Sequence, residues 1–61
     1  GDKEGEGKAL FNWGITEKEK GNIAEAKDKL KKALKNFEAC SFQIGIDLAK
    51  EQLKELEKEN E

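Results

Sequence analysis

ALFNWGITEKEKGNIAEAKDKLKKALKNF, residues 9–37 of a 61-residue chain, is the stretch whose reading decides the fold. At its centre stands Lys20-Gly21-Asn22, which sets a residue free to take positive φ after one helix and a capping side chain before the next. A helical hairpin follows. In the second arm Ile23, Ala26, Leu30, Ala33, Leu34 and Phe37 recur at alternating steps of three and four, which is one face of a helix and hence its core face. In the first arm Ala9, Leu10, Trp13 and Gly14 cluster on one side, and a mid-helix glycine costs up to about 1 kcal/mol relative to alanine. Close approach of the second helix, through the small residues Ala26 and Ala33, is the expected compensation for Gly14.

The order Leu10, Trp13, Gly14, Gly21, Ala26, Leu30, Ala33 resembles the tetratricopeptide repeat, whose signature is a large residue, a Leu-Gly pair, a turn glycine, then Ala, an aromatic or Leu, and Ala. Leu10 and Trp13 exchange the family's aromatic and leucine. Glu17 stands where the family places an aromatic, and Glu38 where a proline commonly ends the repeat. The resemblance implies an all-α fold: an antiparallel helical hairpin plus a third, capping helix, of the right-handed superhelical type.

Composition narrows the alternatives. Charged residues make up 43% of the chain and apolar ones 34%, and proline is absent, which suits a helical, solvent-rich protein without a membrane span. Valine and tyrosine are absent and no run alternates for long, so no sheet is expected. A net charge of −2 gives no reason to expect a nucleic-acid or membrane partner. The single Cys40 cannot form an internal disulfide; it reads as a small, partly buried residue in a reducing, cytoplasmic compartment. The chain starts at glycine rather than methionine, from which a segment of a longer protein is expected.

Taken in order, Gly1 to Gly7 reads as the opening of helix one, with Asp2 as its N-cap and Glu4 and Glu6 near the positive end of the helix dipole. Helix one is expected over about 3–20, helix two over about 22–38 and the capping helix over about 42–58, all in one unit. The lysine-rich outer face of helix two reads as solvated, supported by Glu25–Lys29 and Asp28–Lys32 pairs. Ala39-Cys40-Ser41 is a soft break with Ser41 as the expected next N-cap, and helices two and three could instead merge and exchange between subunits. Beyond it Phe42, Ile46, Ala49, Leu53 and Leu56 form a seam flanked by Ile44 and Leu48, followed by a polar tail expected to fray. Gly5, Ala9 and Trp13 recur forty positions on as Gly45, Ala49 and Leu53, so helix three looks like the first helix of a repeat that stops there, with Lys50, Glu51, Lys54, Glu55 and Lys58 as the polar outer face of a cap.

Histidine is absent and one cysteine cannot build a structural zinc site, so no catalytic residue, cofactor or metal ligand is assigned. The resemblance implies instead a protein-interaction scaffold whose first helices line a concave groove for a protein or peptide partner. Carried over, the partner-binding positions are Lys8, Phe11, Ile15, Lys18 and Glu19. Phe11 and Ile15 read as an exposed apolar strip that the hairpin core does not need, open to a partner, a neighbouring repeat or the third helix. The alternative function is an end-cap or self-association unit, a homodimer burying that strip.

Overall fold

A computed structural model of the protein describes residues 2–59. They form three helices, α1 (Lys3–Glu19), α2 (Ile23–Ala39) and α3 (Gln43–Glu59), each 17 residues long, and no strand occurs among the described residues. Of the tail expected to fray, residues 60 and 61 lie outside the described part; α3 itself continues through Glu59.

Helix α1 starts where Asp2 accepts a hydrogen bond from the Gly5 N–H at 3.0 Å, with Glu4 and Glu6 in the first turn. Its glycines make it a poor helix in isolation, so tertiary contact must hold it. Both turns are built alike. In the first, the N–H of Gly21 donates to Lys18 O at 3.0 Å and that of Asn22 to Glu17 O at 2.9 Å; in the second, Ser41 donates to Glu38 O at 3.2 Å and Phe42 to Phe37 O at 2.9 Å. This is the Schellman arrangement, which needs a left-handed residue just past the helix end. Gly21 takes φ 86° and Ser41 takes φ 55°.

Two expected caps are therefore corrected. Ser41 is the left-handed residue that ends α2, and the first intrahelical acceptor of α3 is Phe42 O, bonded by Ile46 N–H at 3.0 Å. Asn22 precedes α2, yet its side chain makes no capping bond there; it turns back to Glu17. With two backbone bonds closing the second turn, α2 and α3 remain separate helices rather than merging.

The middle helix α2 carries the core. Ala26 and Leu30 pack with Leu56 of α3, joined by the half-buried Phe11, Ile15, Ile23 and Leu53. Ala33 and Phe37 pack with Ala49, joined by Leu10, Phe11, Leu34, Phe42 and Ile46. Gly14 permits a close approach: a Cβ there would sit 2.8 Å from Leu30 Cγ and 3.2 Å from the Ala26 carbonyl oxygen. Gly7 and Gly45 do the same for one ring, since a Cβ on either would fall 2.6 Å and 2.7 Å from atoms of Phe37. The Phe37 ring is clasped between α1 and α3.

The α1 face is rotated from the expected one. Leu10 and Gly14 lie on it, but Ala9 and Trp13 do not; Trp13 is 51% exposed. Gly7, Phe11 and Gly14 bring the α1 backbone onto α2, which leaves Trp13 on the flank, where Lys29 Nζ lies 4.0 Å from the ring centroid.

Candidate binding groove

Because α2 separates them, α1 and α3 lie side by side in the same direction and enclose a groove. At its C-terminal end the groove is closed: Lys18 Nζ donates to Gln52 Oε1 at 2.9 Å and to Glu55 Oε2 at 3.3 Å. At its N-terminal end it opens into a cavity of about 330 Å³, at the small end of the roughly 300–1,000 Å³ usual for ligand sites. One wall is Lys8, Phe11 and Asn12 of α1, the other Ile44, Gly45 and Leu48 of α3, and Phe37 and Phe42 form the remainder. The two rings are 5.5 Å apart and tilted by 54°.

The walls differ in how far the core has claimed them. Phe11 touches both core clusters and Ile15 touches the first, so the strip expected to be surplus to the hairpin belongs in part to its interior. The reason is the third helix, which supplies Leu56 and Ala49 behind them. On the facing wall Ile44 is 66% and Leu48 46% exposed, and neither belongs to a cluster.

The polar groups are placed by local pairing. Lys8 Nζ lies 2.9 Å from Glu4 Oε2 and 5.3 Å from the centroid of Phe42, and the bond to Glu4 holds its ammonium above the usual lysine range. Lys18 is taken up by Gln52 and Glu55, and Glu19 is exposed at the end of α1. Of the five expected partner-binding residues, the structure brings Lys8 and Phe11 to the cavity; Lys18 bridges to α3 further along, Ile15 packs against the core, and Glu19 makes no contact with α3 among the described residues. In the sequence Ile44 and Leu48 stand only as flanks of a seam. Their spacing of four, just off that seam, was the available signal for a second wall.

On the opposite side of the hairpin, Lys29 is held over Trp13 and near Asp28 and Glu25, at 3.5 and 3.9 Å; Lys32 pairs with Asp28 at 3.2 Å. Cys40 sits in the α2–α3 turn, its Sγ 3.6 Å from the Phe37 carbonyl oxygen, and is exposed rather than partly buried as expected. Among the described residues no three His, Cys, Asp or Glu side chains are grouped to hold a metal ion, and no helix is long and apolar enough to cross a membrane. Compared with known proteins, the chain matches no protein-family model, no curated protein and no solved structure.

Proposed function

We propose that this protein is a non-enzymatic interaction module of tetratricopeptide type, working in a reducing, cytoplasmic setting, that holds a protein or peptide segment in the groove between α1 and α3. The observation that carries this reading is the pair Ile44 and Leu48: two large apolar side chains, one helical turn apart, left in solvent beside a cavity lined mainly by apolar residues. Apolar side chains grouped at a concavity mark interaction sites. A non-catalytic role is supported by the chemistry of the titrating groups. Lys8, Glu17 and Asp28 depart from their ordinary proton affinities, and each does so beside a visible hydrogen-bond partner rather than in a desolvated cleft.

The test is selection from a displayed peptide library against the protein and against an Ile44→Asp, Leu48→Asp variant. Both positions are exposed, so helicity by circular dichroism should be unchanged in the variant. Peptides enriched on the protein and lost on the variant support the reading; enrichment that ignores the two substitutions refutes it.

A second reading, as an end-cap or self-association unit, is favoured by one specific observation. Gly45 and Ala49 of α3 are buried against α2 and Leu53 half-buried, while of their counterparts on α1 Gly5 is half-buried and Ala9 and Trp13 are exposed. An uncovered α1 flank suits a further helix or a second subunit. Molar mass by sedimentation across a hundredfold range of concentration separates the readings: a monomer throughout leaves the groove as the leading site, and a dimer makes self-association the function.

A further inference from the structure

We infer, resting on the second reading above, that the outer face of α1 is a surface for a second copy of this chain. The second copy lays its own α1 there antiparallel, about a twofold axis level with Phe11.

Composition sets this face apart. The outward sides of the other two helices are charged, with Asp28, Lys32 and Lys35 exposed on α2 and Asp47, Glu51 and Lys54 on α3. On α1, residues 9–16 carry no charge, and Ala9, Asn12, Trp13 and Thr16 among them are exposed. An uncharged exposed stripe with a tryptophan at its centre has the make-up of an interface core rather than of a solvated face.

The order of residues along the stripe argues for a second copy. Asp2, Glu6, Ala9, Trp13, Thr16 and Lys20 follow at steps of four, three, four, three and four, one side of a helix whose spacing reads the same from either end. Two such stripes laid antiparallel about the level of Phe11 set Asp2 against Lys20, Glu6 against Thr16 and Ala9 against Trp13, each twice. Opposite charges then meet at both ends, and the large ring covers the smallest side chain of the stripe. A parallel pairing would set Asp2, Glu6 and Lys20 each against its own copy, and like charges brought together select against it. The charges are available: among the described residues Asp2 and Glu6 make no ion pair. Lys20 is 62% exposed, and the Glu17 that lies 3.8 Å from it is already bonded to Asn22. Phe11, two residues from both Ala9 and Trp13, falls on the opposite side of α1, so the cavity it lines stays open in such a dimer.

A single pair of helices makes a small interface, so the dissociation constant is expected between about 10 µM and about 1 mM. Sedimentation of the full chain from about 10 µM to about 2 mM reads it, with circular dichroism to check that each variant keeps its helices. Ala9→Asp sets an unpaired carboxylate under the ring at two places and should raise the constant at least about tenfold. Lys20→Glu turns two attractive contacts repulsive and should raise it by about tenfold as well. That loss should largely vanish in an Asp2→Asn background, which keeps a capping side chain on α1. Polarity is read by mild oxidation in a Cys40→Ser background. Glu6→Cys and Thr16→Cys chains, mixed, should form the mixed disulfide faster than either forms one with itself, because the antiparallel register holds like positions about 15 Å apart. A dimer that ignores Ala9→Asp, or in which each cysteine variant links faster to itself, overturns the inference and leaves self-association to another face. A monomer at every concentration overturns the inference and the second reading together.

Discussion

The side-chain amide of Asn22 donates to the carboxylate of Glu17 across 2.8 Å, and these two residues hold the same places in the first turn that Phe42 and Phe37 hold in the second. One backbone motif is therefore closed by a polar pair at one end of α2 and by an aromatic pair at the other. Glu17 occupies a position where the tetratricopeptide pattern would place an aromatic ring, and the hydrogen bond accounts for how a carboxylate is accommodated there: its side chain is only 13% exposed, with Lys20 at 3.8 Å.

That pair makes stability depend on pH. The bond from Asn22, then the charge of Lys20, hold the Glu17 carboxyl below its ordinary value of 4.5. A carboxyl depressed by folding contributes stability that is full above its unfolded value and lost as pH falls through the folded one. Asn22→Ala should thus lower the urea midpoint more at pH 7 than at pH 3. The Asp28 carboxyl is also held below its ordinary value, chiefly by its hydrogen bond with Lys32, so the comparison must be with Asn22→Ala and not with pH alone. An equal loss at both pH values would show that Asn22 acts only through the backbone.

The two left-handed residues should respond oppositely to substitution. Ser41 at φ 55° bears the steric cost of a side chain in that region, about 1–2 kcal/mol. Glycine relieves it but gains about 0.4–1 kcal/mol of freedom in the unfolded chain. Ser41→Gly should therefore stabilise by about 0.5–1 kcal/mol, a rise in Tm of several degrees for a chain of this size. A Cβ on Gly21 would touch nothing within 4 Å, so Gly21→Ala should destabilise by about 1 kcal/mol through backbone strain alone. Thermal unfolding of the two variants measures both.

Much of this fold was legible because it rests on short-range rules. The Lys20–Asn22 turn, the α2 face from Ala26 to Phe37, the Asp2 cap and the α3 seam all follow from spacing and turn chemistry within a few residues. What was not legible depends on a third element. The rotation of α1, which exposes Trp13 and buries Gly7, is set by the Phe37 ring and by where α3 closes over it. The groove is of the same kind: Phe11 and Ile15 were read from α1 alone, while the wall that matters, Ile44 and Leu48, becomes visible only when α3 is laid beside it.

The clasp on Phe37 predicts a coupling between helices that never bond to each other there. Gly45→Ala would place its Cβ 2.7 Å from the ring and Gly7→Ala 2.6 Å from it. Overpacking of this degree costs about 1–3 kcal/mol, against a gain of up to about 1 kcal/mol in helix propensity, so each variant should be destabilised. Phe37→Leu removes the flat ring that both glycines approach. In that background Gly45→Ala should become neutral or stabilising, giving a coupling of about 1 kcal/mol or more in a double-mutant cycle. Additive effects would mean that the glycines serve the backbone and not the ring.

The flank of α1 offers the last test, because its one tryptophan is both a structural contact and a reporter. Lys29 lies 4.0 Å from the Trp13 ring centroid and its side chain is only 13% exposed, although Asp28 and Glu25 are also near. A cation over an indole is worth about 0.5–1 kcal/mol at an exposed site and more when desolvated. Lys29→Met keeps the aliphatic stem over the ring and removes the charge, so the loss it causes should largely disappear in a Trp13→Leu background, while the carboxylate contribution should persist there. A loss of equal size in both backgrounds would assign Lys29 to Asp28 and Glu25 instead. The same ring, 51% exposed, should emit as a largely solvated indole in the monomer; a shift of that emission to shorter wavelength as concentration rises would place a second subunit on the Ala9–Trp13 flank, and constant emission would leave that flank bare.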